Sequence, residues 1–387
     1  MKLAPDHVLH RLARGAGVCG ILALLVLGAA AFVDPGQTLR SYLVAFVFWI
    51  TIPLGCLAVL MIHHVTGGAW GVAVRRPLES AALTLPLMGV LFLPLVLGAP
   101  LLYPWARPDV VAHDVLLQHK AAYLNLPFFV ARAVFYFVAW TLVARSLAHW
   151  SLRQDRGGDD VADRRLHDTS RYGLVLMGLT MTFAAVDWMM SLEPHWFSTI
   201  YGVMFMGGCA LSALAFVIMV AASLRTQTEV AETIGTNLFH DLGNLLLAFT
   251  MVWAYFHLSQ FLIIWSANLP EEIPWYLART RAGWRAVAIA LVAFHLVLPF
   301  FVLLSRRVKR RPATLARVAL LMIAVQLLDV FWMIRPAFAR APAVHGLDLV
   351  ALVAVGGVFF AAFVRLLAQR PLLPLHDPSL VVAEEAA

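Results

Sequence analysis

The chain has 387 residues, 61% of them hydrophobic and only 13% charged, with a mean hydropathy of +0.81. A soluble domain carries about a quarter charged residues, so this balance excludes an ordinary soluble enzyme and points to the bilayer. The formal net charge of +7 would suit a nucleic-acid binder, but the placement of the charges argues for membrane topology instead.

A helix needs about 20 apolar residues to cross the hydrocarbon core. Ten stretches qualify, at about 17–33, 41–63, 78–98, 122–149, 171–191, 197–223, 239–265, 284–304, 313–333 and 346–368. The alternating ten-residue segments of an outer-membrane barrel are absent. The chain therefore reads as an all-α polytopic membrane protein, with 1–16 and 369–387 as cytoplasmic ends around a membrane domain at 17–368. With the N-terminus inside, the cytoplasmic segments hold 19 Lys and Arg and the opposite side 8, leaving out Arg132 and Arg317 within helices. That asymmetry follows the positive-inside rule and predicts a bacterial inner-membrane protein with both termini cytoplasmic. Lys2, Arg11 and Arg14 ahead of a short apolar run and Ala29-Ala30-Ala31 also have the shape of a signal peptide. The first span reads as an uncleaved helix.

Cys19, Cys56 and Cys209 all fall inside spans. No C-x-x-C-H haem attachment site or cysteine array for an iron–sulfur cluster occurs. No helix carries two histidines placed for stacked b-type haems. Electron chemistry is expected on a partner or a bound quinone.

Among the connections, 151–170 is rich in Asp, Arg and Gly and reads as a mobile loop. Residues 99–121, with Pro100, Pro104, Trp105 and Pro108, and residues 266–283, SANLPEEIPWYLARTRAG, read as structured loops on the far side. In the second, Pro270, Glu271, Glu272, Pro274, Trp275 and Tyr276 are candidates for docking an extramembrane partner. Trp275 and Tyr276 also suit anchoring at headgroup level.

The fifth span ends DWMMSLEP (Asp187 to Pro194) and the ninth DVFWMIRP (Asp329 to Pro336). Each sets an Asp seven residues before a Pro. The two spans run in the same direction, so the pattern predicts two parallel four-helix bundles, spans 2–5 and 6–9, flanked by spans 1 and 10.

Ionisable residues inside a membrane usually face the bundle interior and often mark a pathway. Asn125, Arg132 and Tyr136 share one helical face of span 4, as do Thr180, Asp187 and Ser191 on span 5. Span 7 offers Trp253, His257 and Gln260, span 8 His295, and span 9 Gln326 and Asp329. Arg132, Asp187, His257, His295 and Asp329 are proton-path candidates, with Arg132 the expected partner of Asp187. A register-fixing ion pair is the competing reading. His240 and Asp241 are candidates for the cytoplasmic mouth of that path. They stand with His63, His64, Glu79 and His149 near helix ends, where solvated polar residues need no further role. Pro299 leaves the carbonyl of His295 without its helical donor.

The segments HHVTGGAWGVAVRRPLESA (63–81), HKAAYLNLPFFVARA (119–133), DWMMSLEPHWFSTIYG (187–202) and LGNLLLAFTMVWAYFHLSQFLIIWSANLPEEIPWY (242–276) resemble ActF-type subunits. These are the second NrfD-like membrane subunit of the alternative complex III, and the similarity spans about residues 40–340. It implies a sister NrfD-like subunit, a periplasmic iron–sulfur subunit and multihaem cytochrome c subunits, with a terminal oxidase as a further partner. It also implies haem c and iron–sulfur clusters on those partners, and quinol or menaquinol at a subunit interface. The chain itself would scaffold the complex and conduct protons. Two alternatives stand beside this: a quinol-binding subunit of a polysulfide-reductase-type enzyme, and a secondary transporter.

Overall fold

A computed structural model describes residues 2–157, 160–227 and 235–374. Ten helices are long and apolar enough to cross a membrane, and no strand occurs among the described residues. They are α1 (Val8–Val33), α2 (Pro35–Thr66), α3 (Arg75–Leu97), α4 (Leu126–Gln154), α5 (Asp160–Leu192), α6 (Tyr201–Leu224), α7 (Thr236–Ala267), α8 (Trp284–Leu304), α9 (Pro312–Ala337) and α10 (Gly346–Ala368). The protein is an all-α, multi-pass membrane protein.

Helix-to-helix packing gives the expected two bundles. In the first, α2 packs against α3 and α5, and α4 against α3 and α5; in the second, α6 packs against α7 and α9, and α8 against α7 and α9. The bundles meet along α2 and α6, whose most apolar stretches are 89% and 83% buried within the protein. That burial explains why both are apolar on every side: no face of either has to meet water. At their crossing, a Cβ on Gly55 would collide with the carbonyl of Cys209, so only glycine permits the approach. Outside the bundles, α1 packs on α10, with Gly20 against the backbone of Gly357 and Val358. The remainder of α1 is outward-facing apolar surface, such as Leu12, Ile21 and Leu25.

Three boundaries differ from expectation. The first helix begins at Val8, not near residue 17, because Arg11 and Arg14 are solvated beyond the apolar stretch while the helix continues through them. The 151–170 segment is largely helical: α4 runs to Gln154 and α5 starts at Asp160. The tail from 375 onward lies outside the described residues, whereas Leu372 and Leu373 are buried. Prolines act unevenly. Helix α2 continues through Pro53, but α3 is three helical pieces, Arg75–Ala82, Leu85–Leu91 and Leu93–Leu97. At the second break the Leu91 carbonyl accepts a hydrogen bond from the Tyr42 hydroxyl at 2.6 Å, replacing a donor that the helix no longer supplies.

Candidate functional site

The two matched aspartates occupy corresponding helices, α5 and α9. Both are 1% exposed, and each helix ends in a 3-10 turn shortly after its Asp, at Met190–Leu192 and Arg335–Ala337. Their surroundings differ. Asp187 accepts Arg132 Nε at 2.9 Å, Arg132 Nη2 at 2.8 Å and the Tyr136 hydroxyl at 2.9 Å. Arg132 also donates to the Tyr123 carbonyl at 3.0 Å and lies 3.8 Å from the centre of the Tyr123 ring. A bidentate guanidinium–carboxylate pair with a third donor is fully satisfied. It fixes α4 against α5. Asn125, expected on the same face, caps α4 by accepting the Phe128 amide, and Thr180 accepts the Trp140 indole N–H at 2.8 Å.

Asp329 is held loosely. Trp253 Nε1 donates to its Oδ2 at 3.3 Å and Gln326 Nε2 at 3.2 Å, while its Oδ1 faces His257 Nε2 at 3.4 Å. His257 Nδ1 lies 3.0 Å from the Trp253 carbonyl. A carbonyl only accepts, so that geometry assigns the proton to Nδ1. The Nε2–Oδ1 contact then requires one further proton, carried by either partner. His295 is 0% exposed, and neither of its ring nitrogens has a hydrogen-bond partner among the described residues. It packs on the Trp253 indole with ring centres 4.0 Å apart, and His257 packs on the same indole at 4.1 Å. His295 sits in a π-helical turn, Val292–Val297, that ends two residues before Pro299. Such turns are rare and frequent at functional sites. The Gln326 amide oxygen is likewise buried without a partner. Orphaned polar atoms gathered in one place mark where water or a transferred proton would be held.

Beside this cluster a cavity of about 530 Å³ opens between α7 and α8, lined by Trp253, His257, Phe261, Tyr276, Leu291 and Trp332 among others. It gives the His257 side chain, 14% exposed, a path to the bundle exterior. No known protein-family model matches this chain, and no curated protein matches it. The geometry offers a histidine–carboxylate pair short of one donor, a second imidazole without hydrogen-bond partners among the described residues, and an indole joining them.

Gln260 does not join the cluster; its side-chain oxygen accepts Ser198 Oγ at 2.6 Å. His240 and Asp241 stand at the opposite end of α7, with His240 Nδ1 3.6 Å from Asp241 Oδ1 and Asn244 within 3.4 Å. Lys309, from the connection after α8, donates to Asn244 at 2.6 Å. Burial pulls the Lys309 ammonium below the usual lysine range, and nearby Arg306 adds to this. Glu79 is a correction: it is a core residue, not a solvated helix-end group. Its carboxylate is fully buried, 2.8 Å from Arg76, 3.2 Å from Arg75 and 3.4 Å from Arg370, and accepts the Ser151 hydroxyl. Arg76 continues to Asp155. The Arg75-Arg76-x-x-Glu79 spacing was the legible signal, three and four residues apart on a helix; Arg370 and Asp155 come from distant sequence.

The 266–283 loop also needs correction. Trp275 is 2% exposed and stacks on Trp196 with centres 4.7 Å apart, so it is a core residue, neither a headgroup anchor nor a docking residue. Trp196 donates to the Glu272 carbonyl at 3.1 Å. Arg279 lies 3.7 Å from the centre of a Trp275 ring and pairs with Glu193 at 2.6 Å. Tyr276 is half-buried beside the α7–α8 cavity. Of the docking candidates, Pro270, Glu271 and Pro274 face outward, and Glu272 does so partly.

Proposed function

We propose that this chain is a non-redox membrane subunit of a quinol-oxidising respiratory complex of the alternative complex III type, in which it scaffolds its partners and passes protons through the second bundle. The loosely held Asp329, with His257 and His295, carries this reading. These groups change protonation state without dismantling the packing, because the Arg132–Asp187 pair and the Glu79 network bear the structural load elsewhere. The sequence resemblance supplies the complex: a sister NrfD-like subunit and periplasmic subunits carrying haem c and iron–sulfur clusters, docked near Pro270, Glu271 and Pro274. A cytoplasmic location for both termini fits the 19-to-8 distribution of Lys and Arg.

The test is purification of the tagged chain in mild detergent, with haem and iron–sulfur spectra of its companions, then reconstitution in vesicles. Asp329→Asn is expected to leave quinol oxidation within about twofold of the parent while abolishing the accompanying proton movement. Equal loss of both from an intact complex, or a colourless lone protein, overturns the proposal. The α7–α8 cavity supports a second reading, in which the chain binds a quinone head group with His257 as its hydrogen-bond partner. Stoichiometric quinone in the purified protein, lost on His257→Leu, would favour it.

A further inference from the structure

We propose that the α7–α8 cavity holds an acyl chain of an anionic phospholipid whose phosphate rests on Arg281 and Arg285. The cavity is a wedge, and the path of α8 makes it one. The second half of α8, Leu298–Leu304, packs against α7, whereas its first half, Trp284–Leu291, packs against α9 and the short helix Ile273–Thr280. Between the halves lie the π turn Val292–Val297 and Pro299, and both features bend helices. The two helices therefore diverge toward the end away from the chain termini, where Tyr276 and Thr280 line the cavity. Val292 and Leu258, on opposite walls, are 54% and 56% exposed, so the wedge opens sideways to the bilayer. Met251, Ala254, Ala288, Leu291 and Leu296 supply much of the remaining wall. An empty apolar slot forfeits dispersion contacts, and water finds few polar partners in this one. A hydrocarbon chain fills it.

The mouth says why that chain belongs to an anionic lipid. The Trp284 amide donates to the Arg281 carbonyl at 3.0 Å. Between them the backbone turns through the left-handed region at Ala282 (φ 47°) and Gly283 (φ 93°), so Arg281 and Arg285 stand at one corner. Arg285 lies one helical turn from Ala288, on the face that lines the wedge, and Arg281 directly follows Thr280. Both arginines are exposed, and neither makes an ion pair among the described residues. Glu193 is already taken by Arg279. This end of the bundle has the smaller share of Lys and Arg, so two unpaired guanidinium groups beside an apolar slot depart from the general charge pattern. Their planar forks suit phosphate. The proposal is independent of the proton-passing role and competes with a quinone for the same space.

The test uses the full chain, with whatever subunits accompany it, stripped of lipid in mild detergent. Phosphatidylglycerol with brominated acyl chains is titrated in while tryptophan fluorescence is followed. Bromine quenches an indole that it touches, and Trp253 and Trp332 line the cavity. Quenching is expected to saturate at a single lipid per chain. Arg281→Gln with Arg285→Gln should weaken binding about 25-fold, about a factor of five for each cation. Ala288→Phe fills the wedge and should abolish the saturable quenching at an unchanged melting temperature; Ala254→Phe serves the same purpose from the opposite wall. Undiminished quenching in both phenylalanine variants would place the chain elsewhere. Equal binding of brominated phosphatidylcholine, or no weakening in the arginine variant, would remove the phosphate contact. Displacement by an equimolar isoprenoid quinone would give the cavity to that ligand. Each of these results overturns the proposal.

Discussion

Asp329 holds in the second bundle the place that Asp187 holds in the first, yet only Asp187 has a guanidinium against it. Arg132 clamps Asp187 through two bonds of 2.8 and 2.9 Å, while the closest side-chain donors to Asp329 stand 3.2 and 3.3 Å away. A duplicated position thus serves as a fixed strut in one half and as an incompletely paired acid in the other.

The strut should fail when half of it is removed. Breaking a buried ion pair by deleting one partner costs about 3–5 kcal/mol. Asp187→Asn or Arg132→Gln should therefore lower the melting temperature of the detergent-solubilised protein markedly, whereas Arg132→Met with Asp187→Leu should recover most of the loss. A single variant as stable as the parent would show that the pair is not structural.

Asp329 predicts the opposite pattern. Asn retains the shape of Asp and can still accept from Trp253 and Gln326, so Asp329→Asn should change the melting temperature little. Infrared difference spectra between pH steps should show a protonation-dependent carboxyl band that this variant removes and Asp187→Asn does not. A band insensitive to Asp329 would place the titrating group elsewhere.

The Glu79 network ties the segment after α10 to α3. Glu79→Gln leaves Arg75, Arg76 and Arg370 without their shared charge, and the 370–374 segment should detach first. Amide hydrogen exchange at Leu372 and Leu373 is expected to accelerate about tenfold or more, since 1.4 kcal/mol of lost docking opens the segment ten times more often and a buried pair is worth more than that. Unaltered exchange would mean that Leu372 and Leu373 alone hold it.

Within the 266–283 loop, substitutions should separate folding from docking. Trp275→Ala removes a buried indole from the Trp196 stack and should cost about 3–5 kcal/mol, exposing the loop to proteolysis. Glu271→Gln is at an outward position and should alter stability by less than about 0.5 kcal/mol, while reducing recovery of the extramembrane companions. If Glu271→Gln left that recovery unchanged, the docking assignment would be lost.

The sequence by itself determined the ten helices, their all-α character and the pairing of two bundles, because a bilayer permits few ways to satisfy a backbone and long apolar runs admit one. It also determined Arg132 with Asp187, since both lie on inward faces at matching depth in consecutive spans. Tertiary structure alone decided which of the polar residues are satisfied. The pairing of Asp329 depends on where α7 and α8 carry Trp253, His257 and His295. The burial of Glu79 depends on Arg370, 291 residues away, and that of Trp275 on Trp196. Helical spacing records which face a residue occupies, while the donor opposite that face belongs to another part of the chain and is fixed only when the helices pack.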